Sequence, residues 1–160
     1  SNYINLAKYE NLPRVMSVQN PYSLLNRTYE VGMSEISIRD KVGLLAYSPL
    51  ACGILTGKYR NEQKPDGARL TIWEDWRRYS SERSLRATED YYKIAERNNL
   101  TLTQLSLAFV NKQDFVTSNI IGATKMSQLK ENIDSVNIDL SGEIINDINE
   151  VHENNPSPAP

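Results

Sequence analysis

The chain has little cysteine and little histidine: Cys52 and His152 are the single examples among 160 residues. One cysteine excludes an internal disulfide framework and suits a reducing compartment, so we expect a cytoplasmic protein. The sequence also lacks a Cys/His cluster with metal-ligand spacing, a Gly-x-Ser-x-Gly segment and a convincing pair of catalytic carboxylates. We therefore predict no metal site within this chain.

Strong charge and long apolar runs are missing as well. The formal net charge is −2, without the basic excess that is typical of nucleic-acid-binding proteins. No apolar run approaches the roughly 20 residues that a membrane-spanning helix needs. With 39% apolar and 24% charged residues, the composition is that of one packed domain, and we expect neither nucleic acid nor a membrane as a partner.

The residues that are present alternate between strand and helix patterns. Apolar runs predict strands at residues 15–18, 43–47 and 118–122. Helical patterns predict a helix over residues 29–39, a second from the N-cap Ser81 to about Asn98, and a third over residues 102–110, capped by Thr101 or Thr103. Two further helices would follow, one capped by Thr124 and the last beginning at Ser141. Strands joined by helices pair in parallel, so the predicted fold class is α/β.

Three parallel strands do not make a closed structure. Each edge strand would leave a row of unpaired N–H and C=O groups. A (β/α)8 barrel needs eight strands and about 250 residues. We therefore expect the chain to be part of a larger fold, with self-association through the open strand edges as a further expectation.

The segment after the second predicted strand carries the strongest functional signal. Residues 46–59, AYSPLACGILTGKY, follow the carboxyl end of a strand, where α/β barrels place binding and catalysis. They combine an aromatic ring, hydroxyls, glycines and a cation: Tyr47, Ser48, Thr56, Gly53, Gly57 and Lys58. Such groups suit a flat ring joined to phosphates, as in a dinucleotide. The string GILTGK is one residue short of a P-loop and precedes a tyrosine, which argues against a nucleoside-triphosphate site.

Three ordered motifs resemble the aldo-keto reductase superfamily, in particular its bacterial Tas-type branch, which is similar to potassium-channel beta subunits. The motifs are QNPYSLLNR at residues 19–27, the segment at residues 46–59, and IGAT…QLKEN within residues 121–132. The resemblance covers residues 3–160 and only the C-terminal part of the family's (β/α)8 TIM barrel, about strands six to eight. It implies NADP(H) as cofactor and aldehydes or ketones as substrates. The family's catalytic Asp, Tyr, Lys and His come from earlier strands and have no match here, and His152 has no matching role.

The resemblance also implies a cofactor role for individual residues. Tyr47 would stack on the nicotinamide, and Gln19 would bind its carboxamide. The pyrophosphate would lie on Ser48, Pro49, Leu50, Gly53 and Thr56, with Lys58 neutralising a phosphate. The adenosine end would meet Arg69, Gly122, Thr124, Gln128, Glu131 and Asn132.

Each of these roles has an ordinary structural alternative. Tyr47 could be a core tyrosine, Gln19 and Glu131 solvated side chains, Arg69 a surface arginine, and residues 48–58 a plain loop. Thr124 and Gln128 stand where the family's classical branch has basic residues, so the preference for NADP over NAD stays open.

The polar connection at residues 60–80 is long for a compact domain, and such connections are usually functional. Trp73 and Trp76 with Arg77 and Arg78 could stack on nucleic acid. The resemblance favours a lid over the cofactor instead.

The expected domain organisation has three parts. We interpret residues 1–2 as the remnant of a cleaved tag, with a shortened native helix as the alternative. Residues 3–152 would be the barrel portion, and residues 153–160 an extended or loose Pro-rich tail.

The sequence leaves three hypotheses about function. The leading hypothesis is the cofactor-binding part of an NADP-dependent carbonyl reductase whose N-terminal half-barrel lies outside this chain. A non-catalytic nucleotide-binding or redox-sensing module is the second, and an inactive structural part is the third.

Overall fold

The computed structural model describes residues 1–74 and 78–159. Its strands are β1 Ser17–Pro21, β2 Gly43–Tyr47 and β3 Val116–Asn119. Its helices are α1 Asn2–Tyr9, α2 Met33–Asp40, α3 Arg69–Ile72, α4 Glu82–Arg97, α5 Leu102–Asn111, α6 Met126–Asp134 and α7 Gly142–Asn154. Short 3₁₀ turns occupy Thr28–Glu30, Ala51–Thr56, Arg60–Glu62 and Ser135–Asn137. Trp76 and Arg77 of the predicted lid, and Pro160, lie outside the described residues.

The three strands form one parallel sheet in the order β1-β2-β3. Ser17 pairs with Gly43 and Pro21 with Tyr47, whereas the pairing of β2 with β3 contains an irregularity between Leu44 and Leu45. Helices connect the strands, as parallel pairing requires. The predicted α/β class with three parallel strands is therefore confirmed, and the arrangement is what part of a (β/α)8 barrel would contain.

Two strand boundaries differ from the prediction. β1 begins at Ser17 rather than at residue 15 and continues through Pro21, and β3 occupies residues 116–119 rather than 118–122. An apolar run marks which residues are buried, but pairing with β2 decides which residues are strand. Pro21 can sit at the end of β1 because it closes the strand, where a missing N–H costs little.

The helix predicted at residues 29–39 is also corrected. A 3₁₀ turn at Thr28–Glu30 precedes α2, and Gly32 between them has a φ of +81°. This left-handed backbone interrupts the helix at low cost because glycine has no Cβ. The helix therefore begins only at Met33.

The predicted caps agree with the structure at three helices and differ at one. The side-chain oxygens of Ser81, Thr101 and Ser141 each accept a backbone N–H in the first turn of α4, α5 and α7. For α6, the cap position is Lys125 rather than Thr124. The amide oxygen of Gln128 accepts the N–H groups of Thr124 and Lys125 instead.

The core lies between the sheet and α4, α5 and α7. Leu44 and Ala46 of β2 are fully buried on this side. Tyr22 stacks on Phe109 with ring centroids 6.2 Å apart and meets Phe115 edge-on at 5.3 Å. These aromatic contacts fasten the segment after β1 to α5.

The opposite face of the sheet and the flanking helices are more open. Gln19 on β1 is exposed, and Leu45 and Tyr47 on β2 are half-buried. Apolar side chains are exposed on α1 and α6, among them Tyr3, Tyr9, Met126 and Ile133. Within residues 1–74 and 78–159, no helix is long and apolar enough to cross a bilayer.

The C-terminal residues are held against the rest of the protein. α7 continues to Asn154, and Ala159 is 1% exposed. The N–H of Ala159 donates to the carbonyl of Leu25, and the hydroxyl of Ser84 donates to the carbonyl of Pro158. These long-range hydrogen bonds hold the tail against the segment after β1 and the start of α4.

A polar cluster lies where α7 meets the segment after β1. Arg27 makes two hydrogen bonds to the carboxylate of Glu30, at 2.6 and 2.8 Å, and a third to Asn149. The hydroxyl of Tyr22 also donates to Glu30, at 2.6 Å. Burial, together with the charge of Glu30, raises the pKa of Tyr22 and keeps it protonated.

Candidate cofactor-binding site

The first two predicted site residues, Gln19 and Tyr47, lie on the neighbouring strands β1 and β2. Tyr47 ends β2 and is half-buried, and Gln19 lies on β1 beside Leu45 with an exposed side chain. The N–H of Tyr22 donates to the carbonyl of Tyr47 at 3.2 Å. This hydrogen bond ties the turn after β1 to the last residue of β2, so both strands end in a fixed relation.

The loop after Tyr47 concentrates unusual backbone conformations. Ser48, Ala51 and Cys52 have φ values of +55°, +46° and +55°, and Gly53 follows at +94°. Side chains other than glycine adopt such values at a cost of about 1–3 kcal/mol each when the surrounding structure holds them. Strain of this kind often occurs at ligand sites, and a binding role for the loop stays a prediction.

Hydrogen bonds within the loop keep this backbone in place. The N–H of Ala51 donates to the carbonyl of Ser48, and the N–H of Leu55 donates to that of Leu50. The hydroxyl of Thr56 donates to the carbonyl of Gly53 at 2.8 Å. Pro49 is buried beneath the loop. Of the predicted pyrophosphate residues, Pro49 therefore supports the loop, while Ser48, Leu50, Gly53 and Thr56 remain half-exposed.

Lys58 folds back over Gly53. A Cβ built on Gly53 would stand 2.7 Å from the Cε of Lys58, so only glycine leaves room for this approach. The ammonium lies 5.2 Å from the ring centre of Tyr59. Burial and, second, the nearby positive charge of Arg69 hold the pKa of Lys58 below its ordinary value.

Arg69 comes to the same loop from the connection at residues 60–80. It is the first residue of α3, and its Nη1 lies 3.8 Å from the Sγ of Cys52. Two cations thus approach one strained loop. Their mutual repulsion favours an anion between or beside them, since an anion stabilises both charges.

The connection at residues 60–80 is anchored at its beginning. Arg60 makes two hydrogen bonds to Glu89 on α4, at 2.8 and 2.6 Å, and its guanidinium lies 3.2 Å from the ring centre of Tyr92. These hydrogen bonds keep the pKa of Glu89 below its ordinary value. The start of the connection is therefore fixed to α4.

The remaining predicted residues follow β3. Gly122 and Thr124 are exposed, and Gln128 on α6 closes over the turn through its hydrogen bonds to residues 124 and 125. The carboxylate of Glu131 accepts a hydrogen bond from the Thr101 hydroxyl at 2.6 Å, and Asn132 is 5% exposed. Glu131 and Asn132 are thus partly engaged with the protein itself.

The start of α5 connects the two groups of residues. Thr101 binds Glu131, and a Cβ on Gly57 would lie 3.9 Å from the Cδ2 of Leu102. The structure therefore brings Lys58 and Arg69 to one loop and links that loop through α5 to the turn before α6. Roles toward a cofactor stay predictions for all of these residues.

Three residues with a part in this arrangement were not singled out from sequence: Tyr59, Arg60 and Cys52. The signal for Tyr59 was weak, namely its place beside Lys58 within the same segment. Arg60 and Cys52 gave none, because their contacts with Glu89 and Arg69 cross 29 and 17 residues. In the part of the chain that the structure describes, no three His, Cys, Asp or Glu side chains group as metal ligands.

The fold agrees with what comparison with known proteins finds. The model of the Aldo/keto reductase family matches residues 2–153. The chain therefore belongs to the aldo/keto reductase family.

Individual relatives give the same result. Protein tas of Escherichia coli (strain K12) and Protein tas of Shigella flexneri are each 49% identical over 158 residues, which are 99% of this chain and 46% of theirs. An aldo-keto reductase of Babesia bovis is 39% identical over 137 residues, covering 82% of this chain and 48% of its own length. The chain thus spans about half the length of the curated relatives it matches.

The α1 helix begins at Asn2, where the family match also begins, and the interpretation of residues 1–2 as a tag remnant stays a prediction.

Proposed function

We propose that this chain is the cofactor-binding part of an NADP-dependent oxidoreductase that reduces aldehydes or ketones in the cytoplasm. The observation that carries the proposal is the approach of Lys58 and Arg69 to one strained loop after β2. A dinucleotide with an additional phosphate has the charge that such a pair of cations binds.

The donor set of the loop suits a phosphorylated dinucleotide. The Lys58 ammonium lies over Gly53 in space that a Cβ would fill, and the Thr56 hydroxyl and Ser48 lie on the same loop. Tyr47 at the end of β2 offers an aromatic face, and Gln19 in the middle of the adjoining strand β1 offers an amide. Gln128, Glu131 and Asn132 would take the adenosine end, together with the turn at Gly122 and Thr124.

Within this proposal the residues of this chain bind and orient the cofactor. When bound, the nicotinamide supplies a hydride for the carbonyl carbon. Tyr47 would cover one face of that ring, and Gln19 would fix its rotation through the carboxamide. The proton for the product alcohol would come from polypeptide outside this chain, since none of the proposed binding residues is assigned a proton-transfer role.

The test is the thermal midpoint of the full chain with and without NADP+. At about 100 times its dissociation constant, a ligand adds about 2.7 kcal/mol to the unfolding free energy, which corresponds to roughly 5–10 °C for a domain of this size. We expect such a shift with NADP+ and a smaller one with NAD+.

A pair of arginine variants tests whether the difference between NADP+ and NAD+ depends on Arg69. Arg69→Met should remove most of the difference between the two nucleotides, because it deletes one of the two cations. Arg86→Met is the matched control, since among the described residues Arg86 makes only an exposed pair with Glu82 on α4. A cooperative transition that neither nucleotide moves would contradict the proposal.

A further inference from the structure

Tyr59 lies between the two segments that carry the cations. Its ring approaches the loop, where a Cβ on Gly53 would stand 3.4 Å from Cε2. Its hydroxyl accepts a hydrogen bond from the N–H of Leu70 at 3.1 Å. One side chain thus contacts both the loop of Lys58 and the helix of Arg69.

The two residues of this hydrogen bond are the chain neighbours of the two cations. Lys58 immediately precedes Tyr59, and Arg69 immediately precedes Leu70. The hydrogen bond between Tyr59 and Leu70 therefore joins the neighbours of both cations. It crosses 11 residues and closes the first half of the connection at residues 60–80 into a loop.

The helix that carries Arg69 needs such a tether. α3 has four residues, far fewer than the 12–15 that an isolated helix requires in water. The N–H of Leu70 belongs to its first turn, where backbone donors have no partner within the helix. Ala68, 8% exposed, anchors the start of α3, but Ile72 and Trp73 at its end are exposed.

We propose that Tyr59 is a positioning residue whose hydroxyl holds α3 against the loop, so that Arg69 stays preorganised beside Lys58 for a phosphate-rich nucleotide. This inference rests on the proposed function. Without the hydroxyl, α3 would have to be ordered when the ligand binds, which weakens binding. A nucleotide that does not need Arg69 would lose little.

The test compares Tyr59→Phe with the full, unsubstituted chain. The variant keeps the aromatic ring and removes only the acceptor. We expect the dissociation constant for NADP+, measured by calorimetry, to rise about fivefold, in line with the loss of one hydrogen bond, and that for NAD+ to change less than about twofold.

Hydrogen exchange gives a readout that needs no ligand. We expect the Leu70 amide to exchange about fivefold faster in Tyr59→Phe, with amides in α4 and α5 unchanged. Tyr92→Phe is the control: it also removes one tyrosine hydroxyl, which bonds to Glu96 on the same helix, and leaves the ring under Arg60. It should alter neither nucleotide affinity nor Leu70 exchange.

The outcomes distinguish failure of this inference from failure of the proposed function on which it rests. Equal weakening of NADP+ and NAD+ with a lower thermal midpoint would make Tyr59 merely structural and overturn the inference. Unchanged NADP+ affinity would overturn it as well, while leaving the proposed function intact. Failure of the unsubstituted chain to bind either nucleotide would overturn both.

Discussion

Gly43 on β2 lies so close to Thr117 on β3 that no other residue fits between them. A Cβ built on Gly43 would stand 1.6 Å from the Oγ1 of Thr117 and 2.8 Å from its Cβ. The first residue of the central strand must therefore be glycine for β3 to pair where it does. This contact lies beside the irregularity in the β2–β3 register.

Gly43→Ala should consequently destabilise the chain by roughly 1–3 kcal/mol, because the added methyl forces the two strands apart. The measurement is the midpoint of urea unfolding. Adding Thr117→Ala should recover part of the loss, since it removes Oγ1 but leaves the 2.8 Å contact with Cβ. Gly142→Ala is the control, because a Cβ there has open space at the start of α7. Equal stability of Gly43→Ala and Gly142→Ala would refute this view of the sheet.

Thr101→Ala should cost about 1 kcal/mol or somewhat more of unfolding free energy. The Thr101 oxygen accepts the N–H of Gln104 at 3.0 Å and donates to Glu131 at 2.6 Å, so one hydroxyl caps α5 and fastens α6 to it. Thr101→Ser should retain nearly all of the stability, since the hydroxyl survives. Chemical denaturation of the two variants decides the point, and an equally large loss in Thr101→Ser would assign the effect to the methyl group.

Sequence signals for helix starts are local, and they identify the starts of α4, α5 and α7 but not that of α6. The sequence predicts Ser81 and Ser141 as caps and leaves Thr101 and Thr103 as alternatives for α5; Ser81, Thr101 and Ser141 each accept a first-turn N–H. The break before α2 was missed although Gly32 is visible in sequence. Glycine inside a helical pattern is often tolerated, and its φ of +81° is set by packing.

Contacts between distant residues could not be predicted in the same way. The prolines of the tail exclude a helix and predict an extended or loose segment, but they do not indicate that the carbonyl of Pro158 accepts a hydrogen bond from Ser84, 74 residues away. Lys58 was predicted to bind phosphate from its neighbours alone. That Arg69 approaches it depends on a fold of the connection which no local pattern describes.

Stability should fall as the pH drops from about 7 toward 5.5, and His152 should cause most of that change. Burial, with a further contribution from Arg27, lowers the pKa of His152 in the folded state; Glu30 and Glu153 oppose this. Its Nδ1 is buried without a hydrogen-bond partner among the described residues. Below the unfolded pKa of about 6.5, the unfolded chain therefore binds more protons than the folded one, which favours unfolding.

His152→Asn should flatten this part of the stability profile. His152 is the single histidine, and the carboxylates whose pKa is lowered, Asp40 and Glu89, lose their stabilising charge only at lower pH. Urea unfolding at several pH values measures the slope. An unchanged slope between pH 7 and 5.5 in the variant would mean that His152 ionises equally well in both states.

Gly53→Ala should weaken NADP+ binding in addition to destabilising the fold. The new methyl would stand 2.7 Å from Cε and 2.9 Å from Nζ of Lys58, and the flexible lysine would swing away from the loop. The φ of +94° adds a backbone cost of about 1–2 kcal/mol for any residue with a Cβ.

Gly67→Ala separates these two effects, because Gly67 also has a left-handed φ, +69°, but a Cβ there meets nothing within 4 Å. Both variants should lose comparable unfolding free energy in urea. Only Gly53→Ala should lose NADP+ affinity, by about tenfold, as expected when one charge-assisted contact to a phosphate is removed. Similar affinities of the two variants would show that the position of Lys58 over Gly53 is irrelevant to nucleotide binding.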